Sequence, residues 1–190
     1  NENLVPENYE HRNAVGWEWA DSFRADRVNE VLGSRKKHSL TNMMQLQFDY
    51  TSIPARTLVP FLKELKSTNP KVETARAMLL HWNFTMDKNS VEAGIYAAWE
   101  KRIYDNMLAL LVPENARKQI KSLELTKSVS WITTPRPEFG ANPAVGRDQF
   151  LLSSLKQATD DLTIKLGVDM KKWNYGQDNY HHVLIKHPLS

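Results

Sequence analysis

Residues 90–111 read SVEAGIYAAWEKRIYDNMLALL, and within them Val91, Ile95, Trp99, Ile103 and Met107 recur at every fourth position. That step lies close to the helical repeat, so all five share one face, which Ala98, Leu110 and Leu111 widen. Ser90, or Asn89 before it, supplies a side-chain acceptor for the first turn. A helix of this length with so broad an apolar face needs neighbours on more than one side. The stretch therefore predicts the central packing element of a mainly α-helical, irregular multi-helix domain of about six to seven helices.

The segments on either side have the same period. After Asn69-Pro70, the residues Val72, Ala75, Met78, Leu79 and Trp82 step by threes and fours and predict a helix ending near Asn83. Earlier, Ser52 opens a helix carrying Leu58, Phe61, Leu62 and Leu65; Pro54 is tolerated in its first turn, whereas Pro60 removes a backbone donor and bends it. Ser39 caps a helix with Leu40, Met43, Met44, Gln47 and Phe48 on its apolar side. From Trp17 a further helix sets Ala20, Phe23, Arg24, Arg27 and Val31 on one stripe and ends at Gly33.

Beyond the central stretch, a short helix is expected over 116–123, and 126–131 fits either strand or helix. Residues 133–145, with Pro135, Pro137, Gly140 and Pro143, read as an irregular loop. A long helix over 147–166 places Leu151, Leu155, Ala158 and Leu162 inward and stops at Gly167. Trp173-Asn174-Tyr175-Gly176 is turn-like, and 180–185 suits a short strand or extended arm. The expected organisation is thus a loop or extended connection over 1–16, a helical domain over 17–167, and a turn with an extended arm over 168–190. No internal repeat or low-complexity tract interrupts it.

Composition removes several classes of function. The chain has 190 residues, 41% hydrophobic and 25% charged, which suits one compact domain or two small ones and excludes a disordered chain. No apolar run is long enough for a membrane helix. The absence of cysteine excludes a disulfide scaffold, a thiol nucleophile and a cysteine-based zinc site. With a net charge of only +3 and a single basic cluster, Arg35-Lys36-Lys37-His38, no footprint for nucleic acid is visible. The start at Asn1 without an initiator Met, and the stop at His187-Pro188-Leu189-Ser190, read as an excised or processed segment of something longer.

Among candidate sites, Arg24 and Arg27 stand out because they fall inside the apolar stripe of their helix. A guanidinium there either snorkels to water, meets a fixed acceptor, or receives an anionic group of a ligand. His181, His182 and His187 are poor metal ligands, since adjacent residues of a strand face opposite ways and no carboxylate stands at a helix-borne zinc spacing. The pairs Asp160-Asp161, Asp21 with Asp26, and Glu92 with Glu100 read as solvated helix faces rather than acid/base machinery. Asn83-Phe84-Thr85 matches a glycosylation pattern only by chance. There is no phosphate-binding glycine loop, no GxSxG elbow, and no Ser, Thr or Cys at position 1 to act as an N-terminal nucleophile.

Taken in order, a set of short elements resembles the penicillin acylase family of N-terminal-nucleophile hydrolases, in an internal part of its β subunit. They are Asn1-Glu2-Asn3-Leu4-Val5-Pro6; Phe23-Arg24-Ala25-Asp26-Arg27-Val28; Gln47-Phe48-Asp49-Tyr50-Thr51-Ser52 with Ala55; Trp82 and Trp99; and Trp173-Asn174-Tyr175-Gly176 with His182 and His187-Pro188-Leu189. The resemblance implies a helical part excised from a larger αββα hydrolase, in which a serine outside this segment attacks a linear amide and its own α-amino group is the base. Substrates of the β-lactam side-chain or N-acyl homoserine lactone type are implied. So is a heterodimer, cut autocatalytically from a zymogen, in the periplasm or outside a bacterial cell.

Asn1 takes the place of the family's side-chain oxyanion donor. Arg27 matches the arginine that reaches the active site, with Arg24 as a residue supporting it. The partners implied are the α subunit and the rest of the β subunit, together with a small amide substrate, and neither nucleic acid nor membrane. Some members hold a structural calcium, but no aspartate stands at the matching place before the first helix, so no metal ligand carries over. The alternative reading is a non-catalytic helical interaction module whose apolar stripes bind a partner.

Overall fold

The computed structural model describes residues 8–15, 21–34, 37–120 and 123–177. Among them lie eight α-helices: α1 (Arg12–Val15), α2 (Phe23–Gly33), α3 (Leu40–Gln47), α4 (Ile53–Leu58), α5 (Pro70–Leu80), α6 (Val91–Leu111), α7 (Leu125–Thr133) and α8 (Pro143–Leu166). The first is a single turn inside the stretch expected as a loop, so seven longer helices remain. The fold is mainly α, and the described residues contain no strand, only an isolated antiparallel bridge between Thr51 and Thr85.

Helix α6 is the centre of the molecule. Ser90 accepts from the Ala93 amide at 3.0 Å and so caps it. Ile95, Tyr96, Trp99, Ile103 and Met107 on its apolar face are at most 1% exposed. Helix α8 lies along it and contributes Leu151, Leu155, Ala158 and Leu162 to the same core. The Trp99 indole donates to the Leu151 carbonyl at 3.1 Å, which satisfies a buried N–H that the packing would otherwise strand. At the rim, Arg102 pairs with Asp161 and Lys71 of α5 with Asp160. Helix α5 is capped by Asn69 with Pro70 in its first turn.

Pro60 acts as expected: α4 ends at Leu58, and Val59–Leu62 continues as a 3-10 turn. Residues 126–131 are helical, part of α7. The cap that decides this comes from far away, because the Asp21 carboxylate accepts from the Leu125 and Thr126 amides at 3.2 and 2.7 Å. The helix expected over 116–123 does not form among the described residues of that stretch; Glu114–Ala116 is a 3-10 turn. Arg117 there donates to the Val112 and Ala109 carbonyls at 2.9 and 2.8 Å, closing the end of α6 rather than extending a new helix. Helix α8 starts at Pro143, inside the expected loop, capped by Asn142.

On α3 the Ser39 cap is present as a capping box with Asn42. Most of the stripe expected there is turned outward, with Leu40, Met44 and Phe48 exposed by 79%, 55% and 67%. Met43 of that stripe faces the body of the protein, together with Leu46, which lay outside it. Apolar residues occupy more than one side of this short helix, so periodicity alone could not choose its inner face. At the far end, Trp173 is fully buried, and residues 173–176 run across the start of α6. The strand or arm expected over 180–185 lies outside the described residues. No helix among the described residues is long and apolar enough to cross a membrane.

Candidate functional site

The segment joining α3 to α4 forms the floor of the site, and each of its residues has a structural task. Asp49 folds back on itself, its Oδ1 accepting from the Thr51 amide at 2.9 Å. The Met86 amide donates to the Tyr50 carbonyl and the Ser52 amide to the Phe84 carbonyl, each at 2.9 Å, bracketing the Thr51–Thr85 bridge. Phe84 holds φ of 63°, a left-handed turn uncommon for an aromatic residue, supported by Asn83, which accepts from the Thr85 amide at 3.0 Å. Ser52 caps α4 by accepting from the Ala55 amide at 3.2 Å, and Ala55 is fully buried.

Helix α2 is fastened to this segment by Arg27. Its Nε and Nη2 donate to Asp49 Oδ2 at 3.1 and 2.6 Å, and its Nη1 donates to Glu30 at 2.9 Å. Glu30 in turn accepts from Arg56 of α4 at 2.7 Å, so four charges alternate in sign between the two helices. The Arg27 guanidinium holds the Asp49 carboxyl down at about 2, and Asp49 in return raises the arginine still further. Arg56 and then Arg27 also keep Glu30 below the usual carboxylate range.

Above the segment opens a cleft of about 720 Å³, within the size range of small-molecule sites. Its walls are apolar: Phe23 and Val28 from α2, Met43 and Leu46 from α3, Ile53 and Pro54 from α4, and Met86 opposite. Gln47, Tyr50, Thr51 and Ser52 add polar edges, and the charged groups lining it are Arg24, Arg27 and Asp49. Arg27 is half-buried with its charge committed to carboxylates. Arg24 is exposed and makes no hydrogen bond or ion pair with the described residues. Both arginines of the stripe thus face the cleft, one with a fixed partner and one without.

Below Ser52 runs a second polar array. The Tyr96 hydroxyl donates to Glu100 at 2.5 Å, and the Ser52 side chain reaches the Tyr96 oxygen. Burial pushes the Glu100 carboxyl up, Tyr96 pulls it part of the way back, and the charge of Asp21 adds to the rise. Tyr96 is raised well above the usual phenol value, chiefly by burial. This corrects the sequence reading of Glu100 as a solvated helix face. It stands next to Trp99 on the buried side of α6, and that adjacency was the signal that could have marked it.

Of the other carboxylates, Asp160 and Asp26 are placed as read, whereas Asp21 precedes α2 and caps α7. Asp160 is partly exposed and bonded to Lys71 and Lys156, and Asp26 accepts from Ser22 at 2.8 Å. Asn1, His181, His182 and His187 lie outside the described residues. Among the described residues no group of three or more His, Asp or Glu is placed to hold a metal ion. Asp49 and Ser52 were not recognisable from spacing as partners of Arg27 and Tyr96, because those bonds join the α3–α4 segment to α2 and α6.

The described residues thus form a mainly helical domain with an apolar cleft edged by two arginines and a carboxylate. The chain belongs to the penicillin amidase family, whose profile matches residues 1–190. That membership supports an amidohydrolase of the penicillin acylase type for the full protein. A search of curated protein sequences returned no match.

Proposed function

We propose that this chain is the mainly helical portion of an acylase β subunit, contributing an oxyanion donor and part of the acyl-pocket wall to a serine acyl-enzyme reaction whose nucleophile lies elsewhere. The observation that carries the reading is the cleft itself. The Arg-Ala-x-Arg element and the Gln-x-Asp-x-x-Ser element are separated in sequence, yet both line it, and Arg27 joins them through Asp49. Apolar walls suit an acyl or aryl group, and the polar floor offers fixed hydrogen-bonding partners for the amide it is attached to. Linear amides of the β-lactam side-chain or N-acyl homoserine lactone type fit that description.

In this reading Arg27 is a positioning residue. Its donors are committed to Asp49 and Glu30, so it fixes the floor of the cleft rather than meeting substrate with a free charge. Asn1 supplies a neutral amide N–H to the developing oxyanion, a role for which a donor without net charge suffices. The rest of the precursor, in both subunits, is the partner, and the exposed apolar stripe Leu40, Met44 and Phe48 beside the cleft supports such a neighbour. Maturation from a zymogen in the periplasm or outside the cell completes the proposal.

The test is Asn1→Ala in the full-length precursor. We expect maturation to proceed and turnover of a chromogenic amide to fall by about 10²-fold or more, the usual consequence of losing one oxyanion donor. Near-wild-type turnover by a normally matured enzyme would remove Asn1 from that role.

A further inference from the structure

Every described arginine side chain except one has a partner among the described residues. Arg27 holds Asp49, Arg56 holds Glu30, Arg76 holds Glu73, Arg102 holds Asp161 and Arg147 holds Asp148. Arg117 donates to backbone carbonyls, and Arg136 lies over the Trp131 ring at 5.0 Å. The exception is Arg24, and it stands at the edge of the apolar cleft.

The charges of that cleft do not balance. Two guanidinium groups and one carboxylate line it, and the carboxylate, Asp49, is taken by Arg27. A net positive charge therefore remains on Arg24, one helical turn from Arg27 and on the same face of α2. Phe23, Val28 and Met43 beside it provide apolar surface and no competing acceptor. A guanidinium recognises a carboxylate by two parallel N–H bonds, a match that neither an alcohol nor an amide provides.

We propose that Arg24 is the specificity-determining residue of the cleft and that it selects ligands with an apolar body and a single carboxylate. It would hold the anionic end at the mouth while the chain lies along Val28, Met43 and Ile53. The proposal rests on the cleft being the acyl-pocket wall only for its effect on turnover. Arg27 has no part in selecting the anion, because its own charge is already neutralised by fixed carboxylates.

The test is calorimetric titration of the full-length protein with octanoate and with 1-octanol, which share an apolar chain and differ in charge. Octanoate is expected to bind about tenfold more tightly, a difference that shrinks as salt is raised. Arg24→Gln should bring octanoate to within about twofold of octanol, and Arg24→Lys, which keeps the charge but loses the fork, should restore part of the gap. Because Arg24 is exposed and pairs with none of the described residues, these variants should keep the wild-type circular dichroism and melting temperature. Equal affinity of the wild type for both probes, or unchanged octanoate affinity in Arg24→Gln, would overturn the role of Arg24 while leaving the acyl-wall reading intact. Failure of both probes to bind would overturn the two together.

Discussion

Two ionisable side chains of this protein owe their state to opposite causes. Asp49 is held charged by the guanidinium it faces, whereas Glu100 is driven toward its neutral form by burial. The sign for Glu100 follows from linkage. Its folded pKa is raised above the ordinary glutamate value of 4.5, so its favourable contribution is fully present below that value and is lost as pH rises through the folded pKa. Glu100→Gln keeps an acceptor for the Tyr96 hydroxyl and removes the ionisation. It should melt higher than the wild type at pH 8 and about level with it at pH 4, in paired thermal scans; a constant difference across that range would show that Glu100 is not the titrating group. Its burial was hidden in the sequence because glutamate on a helix is usually solvated, and only its place in the packed helix contradicts that default.

The elements were legible wherever one face was apolar and the ends were marked by local caps. Helices α5, α6 and α8 show this through Asn69, Ser90 and Asn142, each bonding amides within its own first turn. Legibility failed where the deciding contact was distant: α7 is capped by Asp21, and the inner face of α3 was chosen by what it meets. The segment joining α3 to α4 is of that second kind. Its motif was visible as letters, but the bonds from Asp49 to Arg27 and from Tyr50 to Met86 exist only in three dimensions. The Asp49 carboxyl is depressed from 3.8 to about 2, so its stabilising effect is full above pH 3.8 and disappears as pH falls through about 2. Asp49→Asn should therefore lower the melting temperature at pH 7, and the gap to the wild type should close between pH 4 and pH 2. The same variant should loosen the cleft floor, seen as faster amide exchange at Thr51 and Ser52; a gap that persists at pH 2 would assign the loss to packing rather than to charge.

At the scale of the whole molecule, the cleft and the core are held together by α6. Its Tyr96 reaches the site through Ser52, and the turn before it receives the chain returning from α8: the Tyr175 amide donates to the Ser90 carbonyl at 3.0 Å and the Gly176 amide to Lys88 at 2.7 Å. Trp173 is buried there, its indole donating to the Gly167 carbonyl at 2.9 Å. This close crossing is why Gly94 is glycine, since a Cβ at that position would overlap the Trp173 carbonyl. The substitution Gly94→Ala, in a helix where alanine is otherwise preferred, should thus destabilise by about 1–3 kcal/mol, the usual cost of overpacking. Gly33→Ala is the matched control, because its Cβ would meet nothing within 4 Å and its effect should be neutral or slightly stabilising. Denaturant melts of both variants, with protection of the Trp173 indole N–H followed by site-resolved NMR hydrogen exchange, decide the matter. If Gly94→Ala melts like Gly33→Ala and leaves Trp173 protected, the returning chain does not bear on α6 closely enough to couple the far end of the molecule to its site.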